Sequence, residues 1–481
     1  MMLGFDTLAR NALKPLAGSF RDRSGHVYEV EGQILRTVLD QHAAHFEYVE
    51  STGLLQQLAH NGCMLPANKL HPDTVKTCEG HVRYLLQIPK LPFVTYPYEW
   101  SFSALKAAAL LHLKVQLAAL DRGVTLSDAS AYNVQFKGTQ AVFIDHLSFR
   151  RYQNGEIWAG HRQFTEQFLI PLLLRALFGV SHNAWYRGTQ EGIPLMEFQR
   201  LLRWRDYFSA KLLKHCVMPA FFQRTVLDAR MDFQKTMLPS IPLPLPAFRK
   251  LLIELHDWIS TLTPADTRHT LWQNYTLLHN YTDTEVDDKQ RFIEEFVSET
   301  KPKLLWDLGC NGGQYAKAAL EAGARYVVGF DSDQGTLESC FAQASKENLA
   351  FQALFMDLAN PSPSQGWRER ERPGLRARAS ADGILALACM HHLAIANNIP
   401  LVQLVNWTID LAPTGVIEFV PKNDQMAKRL LTLRDDIFSD YTFEAFLGCI
   451  TRRAQIIKSA VISESGRSLV WYRRTCDTNP R

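Results

Sequence analysis

Three carboxylates close three short apolar runs in the C-terminal half of the sequence, and their positions limit the chemistry the chain can do. Leu304, Leu305 and Trp306 lead into Asp307, Tyr326 to Phe330 into Asp331, and Phe351 to Met356 into Asp357. Between the first two lie Gly309, Asn311, Gly312 and Gly313, residues that tolerate positive φ and let backbone approach a ligand closely. Asp331 follows Asp307 by 24 positions (331 − 307), near the spacing of about 20 at which a carboxylate meets ribose hydroxyls. Carboxylates at strand ends accept hydrogen bonds and favour cations, so this set suits a ligand rich in hydroxyl and amino donors. Candidate bases follow: His391 and His392 in A-C-M-H-H-L-A-I, and Glu418 in V-I-E-F-V-P-K-N-D, with Lys422 nearby as an anion contact. An imidazole with a pKa near ~6.5 suits removal of a proton from a hydroxyl or amine. The competing reading is that one histidine caps a strand and the other packs over the ligand.

Positioning these groups takes strands alternating with helices. Ala316, Ala319 and Leu320 recur at helical spacing and Gly323 closes that helix. The spacing predicts a helix over 334–347, a strand over 383–389, a helix over 400–411 and a strand over 416–420. Two late β-rich runs, 454–462 and 468–472, flank Ser465-Gly466 as a terminal hairpin. In such a mostly parallel sheet, ligands bind at the C-terminal strand ends, so Gly309, Asp331, Asp357, Met390 to His392 and Glu418 are expected around one crevice. The turn lacks a full G-x-G-x-x-G, so no pyrophosphate is expected there. A helix over 289–297 leads into the first strand, preceded by Trp272, Tyr275 and Tyr281. Tyr281 either lines the crevice or packs in the core.

The run D-L-G-C-N-G-G with V-V-G-F-D-S-D resembles class I S-adenosylmethionine-dependent methyltransferases, with Asn311 where that family most often has a second glycine. The resemblance implies a Rossmann-like seven-stranded sheet with its last strand inserted antiparallel, and S-adenosyl-L-methionine as cofactor. It implies that Asp331 accepts from both ribose hydroxyls, Asp357 from the adenine amino group, and that Met356 or Leu358 packs on the purine. Asp307 would hold the Gly-rich turn, which includes Gly309 and Gly313, and reach the methionine amino group through water. The segments D-L-A-N-P-S-P, H-H-L-A-I and I-E-F-V-P-K, with Y-P-Y-E-W at 96–100 and D-A-S-A-Y-N-V-Q-F at 128–136, are similar to bacterial methyltransferases related to nodulation proteins. That similarity covers most of the chain and does not name a substrate; a small-molecule or saccharide-like acceptor is expected.

The N-terminal half carries a second constellation. Asp128 and Asn133 are spaced D-x-x-x-x-N, and a strand, a Lys137-Gly138 turn and a second strand then end in Asp145. The layout resembles the catalytic and metal loop of protein kinases, which implies ATP and Mg near Asp128, Asn133 and Asp145, in an α+β kinase-like domain. No G-x-G-x-x-G stands in the β-hairpin expected over 18–40, the phosphate-lysine strand offers only Arg36, and His146-Leu147 replace the usual Phe-Gly. The plainer reading is that Asp128 caps a turn while Asn133 and Asp145 satisfy strand-end backbone. Three functions compete: a methyltransferase whose kinase-like half positions the acceptor, a bifunctional kinase and methyltransferase, and a non-catalytic binding protein.

With 481 residues, two domains are expected, a kinase-like one over 1–237 and a methyltransferase one over 266–481. The joint at 238–265 opens on L-P-S-I-P-L-P-L-P-A-F, whose four prolines predict extended, non-helical chain. Net charge is +3, and the one Arg-rich stretch, 358–380, interleaves Glu369 and Glu371 with five arginines. It reads either as a phosphate or carboxylate contact or as a solvated, self-paired loop, and without serial aromatics it argues against nucleic acid. No run of 18 uncharged apolar residues predicts a membrane span; the nearest, 168–180, is broken by Arg175. The start, M-M-L-G-F-D-T-L-A-R, has no secretion pattern, and eight scattered cysteines form no C-x-x-C pair, so a cytoplasmic protein with reduced thiols is expected.

Overall fold

The computed structural model describes residues 14–71, 81–219, 242–266, 282–432 and 434–475. Tyr281, Trp272 and Tyr275 lie outside the described residues. The N-terminal part opens on a four-stranded antiparallel sheet of β1 (Val27–Val30), β2 (Gln33–Leu39), β3 (Asn68–Leu70) and β4 (Val82–Ile88), ordered β1-β2-β4-β3. The helix Asp40–Ser51 follows β2 directly. The helix Phe102–Leu120, started by the Ser101 hydroxyl accepting from the Ala104 N–H, runs through the core. It is long and apolar enough to cross a membrane, yet 61% of it is buried against other elements. Two short ribbons come next, β5 (Val124–Leu126) paired with β8 (Phe149–Arg151) and β6 (Val134–Lys137) with β7 (Gln140–Phe143), and helices including Ile170–Phe178 and Asn183–Thr189 follow them.

The C-terminal part is an α/β sheet of seven strands, β9 (Leu305–Leu308), β10 (Val327–Asp331), β11 (Phe351–Phe355), β12 (Gly383–Ala386), β13 (Thr414–Phe419), β14 (Ala454–Val461) and β15 (Ser468–Arg474). Their order is β11-β10-β9-β12-β13-β15-β14, with the first five parallel and β15 antiparallel between β13 and β14. Both faces of β9, β12 and β13 are buried, as helices on the two sides of a parallel sheet require. Strand order reverses between β9 and β12, which opens a crevice beyond their C-terminal ends.

The halves share one core. Phe93 packs edge-on against Trp306 and Phe330 at 5.5 and 6.1 Å. Glu338, on the helix Gln334–Glu347, accepts the N–H groups of Phe102 and Ser103 at 2.8 and 3.2 Å, capping the long N-terminal helix from the other half. Arg175, which breaks the apolar run, is itself buried and pairs with Glu338 at 2.9 Å and Asp266 at 3.0 Å. Helix Leu245–Thr261 begins inside the proline-rich joint, contrary to the expectation of extended chain: Pro244 caps it and Pro246 sits in its first turn, where no N–H is needed. The Arg-rich stretch also departs from expectation. The Arg378 guanidinium pairs with Glu99 and lies over Tyr96, and Glu371 is buried against Arg21, so these two charges are answered by the N-terminal half, while Arg372 meets Glu371 at 3.5 Å within the loop and Arg368, Arg370 and Arg376 are exposed.

Candidate functional site

A cavity of about 290 Å³ opens at the reversal between β9 and β12. Its wall includes Gly309, Asn311, Asp331, Met356, Asp357 and His392, all expected from sequence. The turn after β9 is shaped by left-handed backbone at Gly309 (φ 77°), Asn311 (φ 42°) and Gly313 (φ 77°). A Cβ on Gly313 would stand 2.9 Å from the Phe351 ring, so glycine there serves packing, and Gly313 does not reach the cavity. Asp331 fixes this turn. One carboxylate oxygen accepts the Asn311 N–H at 2.9 Å and the other the Asp333 N–H at 2.9 Å. Each oxygen keeps lone-pair capacity. Asp357 similarly accepts the Ala359 N–H at 2.9 Å and still lines the cavity.

Asp307 lies beneath the turn, fully buried, with its Oδ2 unpartnered. Burial pushes its carboxyl up to about 7, against the pull of Lys289, with Asp331 adding to the rise. Lys289 was not foreseen as a site residue. It comes from the helix Asp283–Thr300, whose start is fixed by a Thr282/Glu285 capping box and whose buried stripe includes Phe292, Ile293, Phe296 and Val297. One turn before Ile293, that stripe carries Lys289 to the cavity wall, 2.6 Å from Glu418 and 4.7 Å from the Tyr315 ring centre. A lone lysine in a helix gives no sequence signal by itself. Its position on the apolar face, between hydrophobic residues, was the available clue.

Glu418 and His391 are not brought to the cavity. Glu418 is buried, paired with Lys289, 3.5 Å from Arg467 and accepting the Ala388 N–H at 2.9 Å. Arg467 in turn holds Asp424 through two 2.8 Å bonds. This network holds Ala388, a cavity residue with left-handed backbone (φ 49°), and so makes Glu418 a positioning residue. His391 is buried with both ring nitrogens unpartnered, and burial drives its pKa well below the ordinary value. His392 alone of the pair lines the cavity, its ring 4.2 Å from that of His391. Burial, then Arg467, lowers its pKa, so the imidazole is neutral at neutral pH.

In the N-terminal half, Asp128, Asn133 and Asp145 do converge. The Asn133 amide donates to the Asp128 carboxylate at 3.2 and 3.3 Å and to the Ser148 hydroxyl at 3.2 Å. Ser148 donates to Asp145, whose carboxylate also takes the Leu147 N–H at 3.0 Å and the Arg36 guanidinium at 3.0 Å. Arg36 further pairs with Asp22. Burial raises Asp145, but Arg36, Ser148 and the Leu147 N–H outweigh it and hold the carboxyl below its usual range. Burial and then Asp145 push Asp128 up to about 6. Among the described residues no group of three or more His, Cys, Asp or Glu could hold a metal ion.

No protein-family model matches the chain. Solved structures similar to part of it include the N-methyltransferase NodS from Bradyrhizobium japonicum WM9 (9% identity, 40% of this chain and 97% of that one, TM-score 0.29). Another is the magnesium protoporphyrin IX methyltransferase ChlM from Synechocystis PCC 6803 with bound SAH (14% identity, 42% of this chain and 93% of that one, TM-score 0.28). At such scores neither carries weight for this chain. Over 461 residues, spanning 96% of both proteins, the chain is 44% identical to nodulation protein NoeA of Rhizobium meliloti (strain 1021). The chain belongs to the family of that nodulation protein.

Proposed function

We propose that the chain is an S-adenosylmethionine-dependent methyltransferase acting on a small-molecule or saccharide-like acceptor. The observation that carries this reading is Asp331 at the strand-order reversal, its two oxygens oriented by turn N–H groups and its remaining acceptor capacity turned to the cavity. The residues fit the cofactor on a second count: Asp307, behind the cavity wall rather than on it, holds a buried, unpartnered carboxylate oxygen that a cationic amino group would satisfy through a water. Asp331 would hold the ribose hydroxyls, Asp357 the adenine amino group, and Met356 and Leu358 the purine faces. Asp307 and Lys289 supply opposite charges for the amino and carboxylate ends of an amino-acid moiety. When bound, S-adenosylmethionine supplies an electrophilic methyl group on its sulfonium sulfur.

His392 is the base of this reading. Neutral at pH 7 and on the cavity wall, it would take the acceptor's proton as the acceptor lone pair bonded the methyl carbon and the S–C electron pair returned to sulfur, leaving a neutral thioether. The N-terminal half would position the acceptor. In support, the Arg187 guanidinium donates to the Asn360 carbonyl at 3.1 Å and the Arg187 carbonyl accepts from the Gln365 amide at 3.0 Å, which brings the helix Asn183–Thr189 to the loop after Asp357. Phosphotransfer is the weaker alternative, because Arg36 already answers Asp145.

The test is calorimetric titration with S-adenosylhomocysteine. Wild type should bind, and Asp331→Ala should lose at least about tenfold in affinity, since a charged hydrogen bond contributes about 1.5–3 kcal/mol. No binding by wild type would end the proposal. With an acceptor in hand, His392→Asn should lower turnover about a hundredfold while leaving that affinity nearly intact. Unchanged turnover would leave alignment alone as the source of rate.

A further inference from the structure

Six of the sixteen exposed large apolar side chains among the described residues fall between 201 and 218: Leu201, Trp204, Tyr207, Phe208, Leu213 and Met218. Exposed apolar residues scattered singly mean little, whereas a cluster marks a surface that meets something. The chain builds this one from short turns that pack on one another: the helix Leu195–Gln199, the 3-10 turn Asp206–Phe208, the helical turn Ala210–Leu212 and the π turn Leu213–Val217. Two local caps shape it. The Asp206 carboxylate accepts the Arg203 N–H at 2.7 Å, and the Ser209 hydroxyl accepts the Leu212 N–H at 3.4 Å. Leu212, His215 and Cys216 are buried and anchor the segment, with the His215 ring 5.9 Å from that of Trp258. Two aromatic side chains do the opposite: Trp204 is 69% exposed and Phe208 80%, and their rings meet edge to face at 6.0 Å.

Charge selects the partner. Arg200, Arg203, Arg205, Lys211 and Lys214 are all exposed along the same stretch, which holds one carboxylate, Asp206. Among the described residues only Lys214 of these five is in an ion pair, with Glu254 at 2.7 Å. The Arg205 guanidinium lies over the Trp204 ring, 5.4 Å from its centre, so cation and aromatic face stand side by side. Such a composition is that of an interfacial anchor. Trp and Tyr rings settle at headgroup depth, Phe and Leu reach the acyl boundary, and basic side chains meet anionic headgroups. A nucleic acid would answer the basic groups and leave Leu201, Leu213 and Met218 in water. A folded protein would need a matching shape, which a fluid bilayer does not.

We propose that the segment 200–218 is a peripheral docking surface for an anionic lipid bilayer, lying on the membrane rather than passing through it. None of its residues lines the crevice between β9 and β12, so the surface stands independently of the methyl-transfer reading. Trp204 and Phe208 would enter the lipid, and Arg200, Arg203, Arg205 and Lys211 would meet its phosphate-bearing headgroups.

Co-sedimentation of the full chain with vesicles of phosphatidylcholine alone, and of phosphatidylcholine mixed with phosphatidylglycerol, tests this. The chain should partition onto the mixed vesicles at least about tenfold more strongly than onto phosphatidylcholine, and added salt should shrink the difference. Trp204→Ser combined with Phe208→Ser should lower that partition at least about tenfold, because it removes the apolar area that enters the lipid. Arg205→Gln combined with Lys211→Gln should lower it by about fivefold for each charge removed. All four positions are exposed, so both double variants should keep the wild-type unfolding temperature. Trp367→Ser, at an exposed tryptophan elsewhere, should leave partition unchanged. No sedimentation with the mixed vesicles, equal partition onto phosphatidylcholine, or partition indifferent to both double variants would overturn the surface. A dimer in sedimentation velocity that Phe208→Ser dissolves, without vesicle binding, would overturn it too and assign the patch to a second copy of the chain.

Discussion

Two carboxylate sets, one in each half, begin from the same chemistry and end in opposite states. Asp128 and Asp145 stand near strand ends with an amide and a hydroxyl beside them, and the chain has supplied its own cation: Arg36 lies 3.0 Å from Asp145 and also meets Asp22. Asp307, Asp331 and Asp357 stand at the ends of β9, β10 and β11, where the protein satisfies part of the Asp331 and Asp357 carboxylates with backbone N–H and leaves the rest open to a cavity, and leaves one oxygen of Asp307 unpartnered. The difference lies in who neutralises the charge. A buried carboxylate closed by an internal guanidinium is a structural joint, whereas one that keeps an acceptor free asks for a ligand donor.

The largest expected effect probes the point where the open site resembles the closed one. Lys289 pairs with Glu418 at 2.6 Å with both side chains buried, an internal neutralisation inside the ligand-binding half. Removing one member strands the other, which costs about 3–5 kcal/mol, while removing both costs less. Lys289→Met and Glu418→Gln should each lower the urea midpoint sharply, and the double variant should recover part of the loss. Strictly additive losses would show that the pair is not coupled, and Lys289 would then serve the ligand alone rather than also forming half of a joint.

Asp307 gives an intermediate effect, read from pH. Its folded carboxyl is pushed up to about 7 by burial, above its ordinary value, so the folded protein binds more protons there than the unfolded chain between about pH 4 and 7. By linkage, its contribution to stability is present at low pH and is lost as pH rises through the folded value. Binding has the opposite sign, since an ammonium-bearing ligand selects the carboxylate. Affinity for S-adenosylhomocysteine should therefore rise with pH below about 7, by up to about tenfold per unit, and level off above it. In Asp307→Asn the profile should be flat. A flat wild-type profile would mean that Asp307 is closed like Asp145 and never meets the ligand.

Much of the open site was legible in sequence because its signals are local. Apolar runs ending in Asp, a turn of Gly and Asn, and a helix restarting within a few residues are consequences of chain geometry, so Gly309, Asn311, Asp331, Met356 and Asp357 could be placed together without tertiary information. What escaped depends on contacts across long separations. Lys289 meets Glu418 over 129 positions, Arg36 meets Asp145 from another sheet, and Glu338 caps a helix that begins at Phe102. Adjacent in sequence, His391 and His392 split between core and cavity, because a turn of π-helix begins at His392 and the pattern of apolar residues does not show it. Among the arginines of 358–380, Arg378 escaped the solvated reading for the same reason: Glu99 and Tyr96, which cover it, lie in the other half of the chain, whereas Arg368, Arg370 and Arg376 are exposed.

The smallest expected effect is a null one, and it tests the comparison most directly. If Arg36 closes the N-terminal set, then ATP with magnesium has no open carboxylate pair to bridge there, and the unfolding temperature of wild type should not move when both are added. A ligand that binds only the folded state stabilises it by RT ln(1 + [L]/Kd), so saturation at a hundred times Kd would contribute about 2.7 kcal/mol, a shift well within reach of a thermal scan. Removing the guanidinium should change the answer. In Arg36→Ala, Asp145 loses its cation beside Asp128, whose carboxyl is already pushed up to about 6 in the wild-type protein by burial and then by Asp145, and two neighbouring acids without a countercharge favour a divalent ion. Magnesium should then stabilise Arg36→Ala, and the added Asp145→Ala change should abolish that gain. A wild-type shift that disappears in Asp145→Ala would put a metal where the guanidinium stands, and the two carboxylate sets would no longer differ in kind.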